Sequence, residues 1–277
     1  MKRNNKLNKA NAYRLSQEVL RNKALIKGVN LIAPETIFLS KDTSFGKNVT
    51  VEPYVVFGPK VKIGDNSYIK SFSHLEGTKI KKNVEMFWDI GSTNAYFALH
   101  LIKPILKRTN SELTLHPYNL GFAFRSRNYV LMEEPAIKIE NRKIDLARWA
   151  KKYNLNFKFP SEFPIKTSRT LRGALAMREF NLETPFIEAI FCEYWENNNS
   201  DIQNYEGMAP IVKRLGVSTE EFEELCESDK IRQSLIASTN EGIKRGVFGV
   251  PSIFVGSEMF WGKDRMEFVE DELMNRL

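Results

Sequence analysis

The sequence is poor in cysteine and histidine. Its 277 residues include only two cysteines, Cys192 and Cys226, which lie 34 positions apart. That spacing cannot form a CxxC redox pair or a cysteine-based metal cluster. The three histidines, His74, His100 and His116, also lack the spacing of metal ligands. We therefore expect no metal site.

Long apolar runs are missing as well. No segment approaches the ~18 consecutive apolar residues of a membrane span. The basic N-terminal segment lacks the apolar stretch of a secretory signal. These two absences predict a cytoplasmic protein with no membrane partner. The hydrophobic share of 42% and the charged share of 27% are those of an ordinary globular chain and exclude a largely disordered one.

Acidic residues are scarce in one segment only. The net charge is +7, and residues 1–30 account for all of it, with eight basic residues against the single acid Glu18. The other 247 residues carry 33 charges of each sign. A basic leader explains this distribution better than a folded domain that binds phosphate. We therefore expect no nucleic acid partner.

A six-residue repeat follows a predicted helix over residues 12–27, which Gly28 ends. Every sixth residue of the repeat is bulky and apolar: Leu39, Phe45, Val51, Phe57, Ile63, Ile69 and Leu75. This period fits neither an α-helix nor an alternating strand, and it predicts a short left-handed parallel β-helix of the hexapeptide-repeat type. Seven repeats at six residues per face complete little more than two triangular coils.

Residues 12–82, with "SFSHLEGTKI" among them, resemble part of the bifunctional N-acetylglucosamine-1-phosphate uridyltransferase/glucosamine-1-phosphate acetyltransferase. The resemblance covers the linker helix and first coils of the acetyltransferase half. The later coils that carry the acetyl-transfer residues are absent, so we expect no acetyl transfer. A short solenoid has few neighbouring coils to bury its core, and we expect a tendency of this part to form trimers.

After about residue 83 the pattern changes. "MFWDI" predicts a strand, residues 93–107 a helix, and "SELTLHPY" a second strand. A helical region over about 138–245 follows, with Thr184 as one predicted N-cap and Ser218 with Glu221 as a capping box. "SIFVG" and "EMFWG" then predict two strands, and residues 264–277 a closing helix. This order predicts an α/β fold: a thioredoxin-like domain with an all-α insertion.

The predicted organisation therefore has three parts. Residues 1–30 form a basic leader and linker helix, residues 31–83 a truncated hexapeptide-repeat β-helix, and residues 84–277 the thioredoxin-like domain. We expect the β-helix to contribute nothing to the chemistry.

Three places in the thioredoxin-like domain could carry chemistry. Ser92 lies between a strand and a helix, where its hydroxyl either caps the helix or acts together with the positive helix end. Pro251 precedes a strand and cannot donate to a ladder, so it starts an edge strand or occupies a special turn. A trans peptide bond is the default for Val250–Pro251. Asp264 is explained most simply as a helix cap.

Together these places carry a second resemblance, to the 2-hydroxychromene-2-carboxylate isomerases and the kappa-class glutathione transferases. It covers residues 85–277, and its marks are "FWDIGSTNAYFA", "LGFAFRSRN" and "GVFGVPSIFVGSEMFWGKDRMEF". The resemblance implies a glutathione site in which the Ser92 hydroxyl faces the glutathione sulfur. Related disulfide oxidoreductases have CxxC where this chain has residues 92–95, and without those thiols we expect no disulfide exchange at this position.

The same resemblance implies roles for seven further residues. Val250 and Pro251 match the cis-proline segment that pairs with the tripeptide, and Lys263 and Asp264 match the pair at its γ-glutamyl end. Three others match polar positions near the substrate and the glycyl carboxylate: Arg125, Asn128 and Lys138.

The function implied is a glutathione-dependent isomerase acting on an aromatic or conjugated carbonyl substrate through a glutathione adduct. The alternatives are a kappa-like glutathione transferase or peroxidase, and a non-catalytic fusion that retains an acetyltransferase fragment. The expected partners are glutathione and a small-molecule substrate, with a dimer through the thioredoxin-like domain as a further expectation.

Overall fold

The chain folds as two units, which we describe separately. The computed structural model describes residues 2–65, 67–80, 82–128 and 135–274. The first unit comprises residues 1–84 with 106–112, and the second comprises residues 85–105 with 113–277. Among the described residues, no helix is both long enough and apolar enough to cross a membrane.

The first unit begins with helix α1 (Lys2–Ile26), which starts ten residues earlier than predicted. Residues 2–11 contain neither glycine nor proline, so nothing in that stretch interrupts the helix. Its end is as predicted, because Gly28 has a φ of 85° and its N–H donates to Leu25 O. Gln17 fixes the helix to the next segment: its side chain donates to Leu39 O (2.9 Å) and accepts from Leu39 N (2.8 Å).

Eight two-residue strands follow, and they form the predicted parallel coils. They are β1 (Asn30–Leu31), β2 (Ser44–Phe45), β3 (Thr50–Val51), β4 (Val56–Phe57), β5 (Lys62–Ile63), β6 (Tyr68–Ile69), β7 (His74–Leu75) and β8 (Lys79–Ile80). Three sheets of order β1-β3-β6, β2-β5-β8 and β4-β7 form the faces. Thr50 pairs with Tyr68 and Val56 with His74, which is a repeat of 18 residues per coil.

The six-residue apolar positions form the core of this solenoid. Val51, Phe57 and Ile63 are buried, and Phe45 and Leu75 pack against them partly exposed. Burial of one such side chain contributes about 1.5–3 kcal/mol, so stacked copies at a fixed spacing specify the coil.

The second unit contains a four-stranded sheet of order β10-β9-β11-β12, with β9 as Lys82–Trp88, β10 as Ser111–Pro117, β11 as Ser252–Val255 and β12 as Glu258–Trp261. β11 and β12 are antiparallel, with Ile253 opposite Phe260. Helix α2 (Thr93–Thr109) connects β9 to β10, and a short helix α3 (Leu120–Ser126) follows β10. This is the predicted thioredoxin-like arrangement.

Between α3 and β11 the described α-helices are α4 (Ala136–Tyr153), α5 (Ser168–Arg178), α6 (Glu183–Trp195), α7 (Tyr205–Arg214), α8 (Thr219–Glu227) and α9 (Asp229–Lys244), with a 3₁₀ turn over Ser200–Gln203. An irregular segment over 155–167 connects α4 to α5. Ser218 caps α8 as predicted, because its Oγ accepts from Glu221 N (3.3 Å); this is one of the two bonds of the predicted capping box. The N-cap predicted at Thr184 is wrong: α6 begins at Glu183 after Leu182, which places Thr184 inside the first turn.

The chain ends in a short helix. A 3₁₀ turn over Lys263–Arg265 precedes helix α10 (Met266–Leu273). The helix predicted over 264–277 therefore starts two residues late, and positions 275–277 lie outside the described residues.

Candidate functional site

Ser92 occupies the junction between β9 and α2. Its hydroxyl accepts a hydrogen bond from Ala95 N (3.2 Å), so the side chain caps α2 as the simplest interpretation predicted. The same hydroxyl donates to Val250 O (2.9 Å), 158 residues away in sequence. Its single proton is therefore held by the 249–251 turn. Ser92 retains 9% of its surface exposed, on the wall of a cavity.

The Val250–Pro251 peptide bond is cis, as the family resemblance implied, and the default trans assignment is wrong. β11 lies between β9 and β12, so Pro251 occupies a special turn and does not start an edge strand. Gly262 N donates to Pro251 O (3.0 Å) and Ser252 Oγ to Gly249 O (2.7 Å), which fixes this turn on both sides. Within the part of the chain that the structure describes, the N–H of Val250 has no acceptor.

A cavity of about 410 Å³ borders Ser92, and we call it the Ser92 cavity. Its lining consists of small loop residues, aromatic rings and basic side chains: Gly91, Ser92, Thr93, Asn94, Leu120, Phe124, Lys138, Ile139, Arg142, Lys143, Phe159, Phe163, Gly249, Val250 and Trp261. No acid occurs among these described lining residues. Three cations from α4 on one side and four aromatic rings suit a ligand that is anionic and partly apolar.

Close packing shapes the mouth of the cavity. A Cβ atom at Gly249 would lie 2.8 Å from Trp261 Nε1, so only glycine allows the indole to approach the turn. The indole also packs against Phe248, with ring centroids 5.0 Å apart. Trp261 nevertheless remains 47% exposed, which leaves one of its faces accessible.

The structure brings only part of the predicted site together. Ser92, Val250 and Lys138 line the Ser92 cavity, whereas Pro251, Lys263 and Asp264 do not. Lys263 Nζ lies 4.6 Å from the centroid of the Trp149 ring, and burial lowers the pKa of its ammonium group. Asp264 accepts from Arg265 Nη1 (2.6 Å) and does not cap α10, because the N-cap position before Met266 is occupied by Arg265.

Arg125 and Asn128 lie at the C-terminal end of α3. The N–H of Asn128 donates to Arg125 O (3.2 Å), with Asn128 at a φ of 52°. Arg125 lines a second cavity of about 580 Å³, the Asp89 cavity, which shares Gly91, Leu120 and Phe124 with the first. The full lining is Asp89, Gly91, Asn119, Leu120, Gly121, Phe124, Arg125, Pro164, Ile165, Lys166, Thr167 and Ser168. Asn128 lines neither cavity.

Asp89 is a residue that sequence reasoning missed. It is 1% exposed and accepts three hydrogen bonds, from Gly91 N (2.9 Å), Leu120 N (2.9 Å) and Thr167 Oγ1 (3.2 Å). Burial raises its pKa to about 6, against the lowering effect of these three donors. A lone aspartate inside the apolar run "MFWDI" was the available signal, because a buried carboxylate needs partners. Arg142 was also missed, one helical turn beyond Lys138.

Neither cysteine belongs to this site. Cys192 lies on α6 and Cys226 on α8, both are free thiols, and neither lines the Ser92 cavity. Burial raises the pKa of Cys226 to about 12 and also raises that of Cys192. Both thiols are therefore poor nucleophiles at neutral pH. Any sulfur chemistry at Ser92 needs a thiol from a ligand.

The fold and this site define a thioredoxin-like domain with a serine, Ser92, at the junction between strand β9 and helix α2. Residues 83–274 match the DSBA-like thioredoxin domain, and the chain belongs to that family. Residues 42–77 match the bacterial transferase hexapeptide of six repeats.

Two solved structures show the same fold. One is a 2-hydroxychromene-2-carboxylate isomerase, with a TM-score of 0.62 and 24% identity, covering 70% of this chain and 95% of that one. The other is a probable DsbA oxidoreductase from Streptomyces coelicolor, with a TM-score of 0.59 and 13% identity, covering 71% of this chain and 91% of that one.

The curated relatives match the N-terminal part. The bifunctional protein GlmU of Nitrobacter hamburgensis is 56% identical over 72 residues, which is 26% of this chain and 16% of the relative. That of Xanthobacter autotrophicus is 48% identical over 81 residues, 29% of this chain and 18% of the relative. The chain thus spans less than a fifth of the length of these relatives.

Proposed function

We propose that the chain is a glutathione-dependent isomerase of the DSBA-like thioredoxin family, acting on an aromatic or conjugated carbonyl compound. The observation that carries the proposal is the Ser92 cavity itself. A hydroxyl at the N-terminus of a 17-residue helix faces a cavity with three cations and no acid in its described lining. Such a site favours an anionic ligand that brings its own thiol.

The lining fits the chemistry of glutathione, which carries two carboxylates and one ammonium group at neutral pH. The N–H of Val250 has no acceptor within the described residues, and it is available to a carbonyl of an extended peptide. Lys138 and Arg142 would bind a carboxylate. In the proposal, Val250 and Pro251 pair with the tripeptide, Lys263 and Asp264 hold its γ-glutamyl end, and Asn128 contributes near the glycyl carboxylate.

When bound, glutathione supplies a thiolate that can add to a conjugated carbonyl compound and leave again, so that rotation about a carbon–carbon bond becomes possible. Ser92 favours the thiolate, because a hydroxyl donor and a helix N-terminus both stabilise an anion. Phe124, Phe159 and Phe163 exclude water from one side of the cavity and offer flat apolar faces to an aromatic substrate. Arg125 would contact the substrate from the Asp89 cavity.

The proposal includes a cytoplasmic location, since reduced glutathione is a thiol of that compartment. It also includes a homodimer through the thioredoxin-like domain and a trimer tendency of the β-helix coils.

Binding of glutathione to the full chain tests the proposal. Titration calorimetry with reduced glutathione should give a saturable 1:1 isotherm, and the fluorescence of the half-exposed Trp261 should change with it. Trp261→Phe should remove the optical change and keep the calorimetric one. Absence of saturable binding up to 10 mM, on the order of cellular glutathione, would overturn the proposal.

An activity assay then separates isomerisation from conjugation. With 2-hydroxychromene-2-carboxylate as the probe, an isomerase changes the absorbance spectrum while the concentration of free thiol stays constant. Loss of thiol in proportion to product would replace the isomerase by a transferase. Saturable glutathione binding with no turnover of either kind would favour a binding protein.

A further inference from the structure

Asp89 links three elements around the Ser92 cavity. Its Oδ1 accepts from Gly91 N, in the loop that carries Ser92, and its Oδ2 accepts from Leu120 N, at the start of α3. Oδ2 also accepts from the hydroxyl of Thr167, the residue before α5. Gly91 and Leu120 both line the Ser92 cavity, so one buried carboxylate fixes two backbone segments of its wall.

The surroundings of Asp89 contain little else that could replace these bonds. On α6, the Tyr194 hydroxyl donates to Glu162 O (2.9 Å), and its pKa is raised by burial and by the charges of Glu162 and Asp89. Trp195 Nε1, also on α6, is bonded to Ile90 O (2.9 Å). Two cations, Arg125 and Lys166, line the Asp89 cavity, and both are exposed.

We propose that Asp89 is a positioning residue of the Ser92 cavity: its carboxylate holds Gly91 and Leu120 in place, and this hold weakens when Asp89 takes up a proton. The effect on glutathione binding rests on the proposed function, whereas the positioning of Gly91 and Leu120 does not. A carboxylate accepts from all three donors, but a protonated acid must turn one oxygen into a donor. The protonated oxygen is also a weaker acceptor than a carboxylate oxygen, so at least one of the three contacts is weakened.

The pKa of about 6 that burial gives Asp89 makes this change accessible near neutral pH. Of the titratable groups around it, the Tyr194 phenol has its pKa raised by burial and stays neutral there. Burial lowers the pKa of His100 and of His116, and neither histidine is bonded to Asp89. Their contribution must be removed by comparison with a variant.

Nuclear magnetic resonance of the ¹⁵N-labelled full chain, from pH 5 to pH 8, provides the test. In the wild type, the amide signals of Gly91 and Leu120 should shift together with one midpoint near pH 6. In Asp89→Asn this shared transition should vanish, while shifts caused by the two histidines persist. Asp201→Asn, at an exposed acid of the same unit, serves as the matched control and should keep the transition.

Thr167→Val gives a second, milder test, because it removes one donor that lowers the pKa of Asp89. The shared midpoint should move to higher pH, by at least a few tenths of a unit. If the shared transition belonged to a group other than Asp89, the midpoint would stay where it is. The proposal is overturned if the midpoint does not move in Thr167→Val, or if the shared transition survives in Asp89→Asn. If Asp89→Asn does not fold, the midpoint measured for Thr167→Val decides alone.

Affinity measurements connect the positioning to the site. S-methylglutathione is the probe, since it has no thiol that could titrate between pH 5 and pH 8. Its dissociation constant for the wild type should rise at least fivefold from pH 7.5 to pH 5.0 and should change less than twofold for Asp89→Asn. A pH-independent affinity of the wild type overturns the proposed link to the cavity. No binding at any pH refutes the proposed function and leaves the amide titration as the measure of Asp89.

Discussion

Replacement of Ser92 by alanine should weaken a glutathione-dependent reaction by an amount that the hydrogen bonds of its hydroxyl limit. In the free protein this hydroxyl donates to Val250 O at 2.9 Å. To stabilise a thiolate, the proton must leave that carbonyl. A hydrogen bond to a charged group contributes about 1.5–3 kcal/mol and a neutral one about 0.5–1.5 kcal/mol. Loss of the Ser92 hydroxyl should therefore cost about 1–3 kcal/mol of thiolate stabilisation. The upper end applies if a ligand N–H replaces Ser92 as the donor to Val250 O.

This free energy corresponds to a roughly 5- to 150-fold lower kcat/KM and to a thiol pKa that is about 1–2 units higher. The assay is kcat/KM against pH with the thiolate absorbance of bound glutathione measured in parallel. The rising limb of the profile should move to higher pH in Ser92→Ala, because the bound thiol has lost a donor that lowered its pKa. Ser92→Thr keeps a hydroxyl and should restore most of the shift.

Loss of the helix cap must be separated from loss of the donor. Removing a serine cap costs about 0.5–2 kcal/mol of stability. Ser218→Ala is the matched control, because Ser218 caps α8 in the same way and does not line the Ser92 cavity. If Ser92→Ala destabilises the fold as Ser218→Ala does, yet leaves the pH profile and the rate unchanged, Ser92 is only a cap and the assignment of the site is refuted.

Three other outcomes are expected. Because burial raises the pKa of Asp89 from 3.8 to about 6, the unfolded chain ionises first as pH rises. The wild type should therefore lose about 2 kcal/mol of stability relative to Asp89→Asn between pH 4 and pH 7, measured by urea unfolding, and a pH-independent difference would contradict this. Arg142→Ala should weaken glutathione binding roughly 10-fold or more in calorimetry, whereas Arg148→Ala, at an exposed position of the same helix, should not; equal effects would exclude a direct contact. A chain begun at Lys82, which keeps β9 whole, should bind glutathione within about twofold of the full chain, since every lining residue follows it; failure of that chain to fold, by circular dichroism, would show that the β-helix is required for folding.

Local patterns in the sequence determined much of this fold. The six-residue period specified the coils because β2, β3 and β4 each pair with a strand 18 positions further along the chain, so one spacing sets both the turn and the core. Gly28 ended α1 and Ser218 began α8, since both interactions lie within four residues of the chain. Where the local signal was ambiguous the prediction was wrong: Thr184 had the chemistry of a cap, but the bond from Phe186 N to Leu182 O starts the helix earlier.

The site depended on contacts that no local pattern records. Ser92 as a helix cap follows from its neighbours, but its bond to Val250 crosses 158 residues and exists only because β11 packs beside β9. Asp89 is a single acidic residue directly after the apolar end of β9. Its role depends on the tertiary fold, which places the N–H groups of Gly91 and Leu120 next to its carboxylate. The sequence determined which groups could act, through short-range spacing and side-chain chemistry. The tertiary structure decided which of them share one cavity, because burial and long-range hydrogen bonds form only when distant segments pack together.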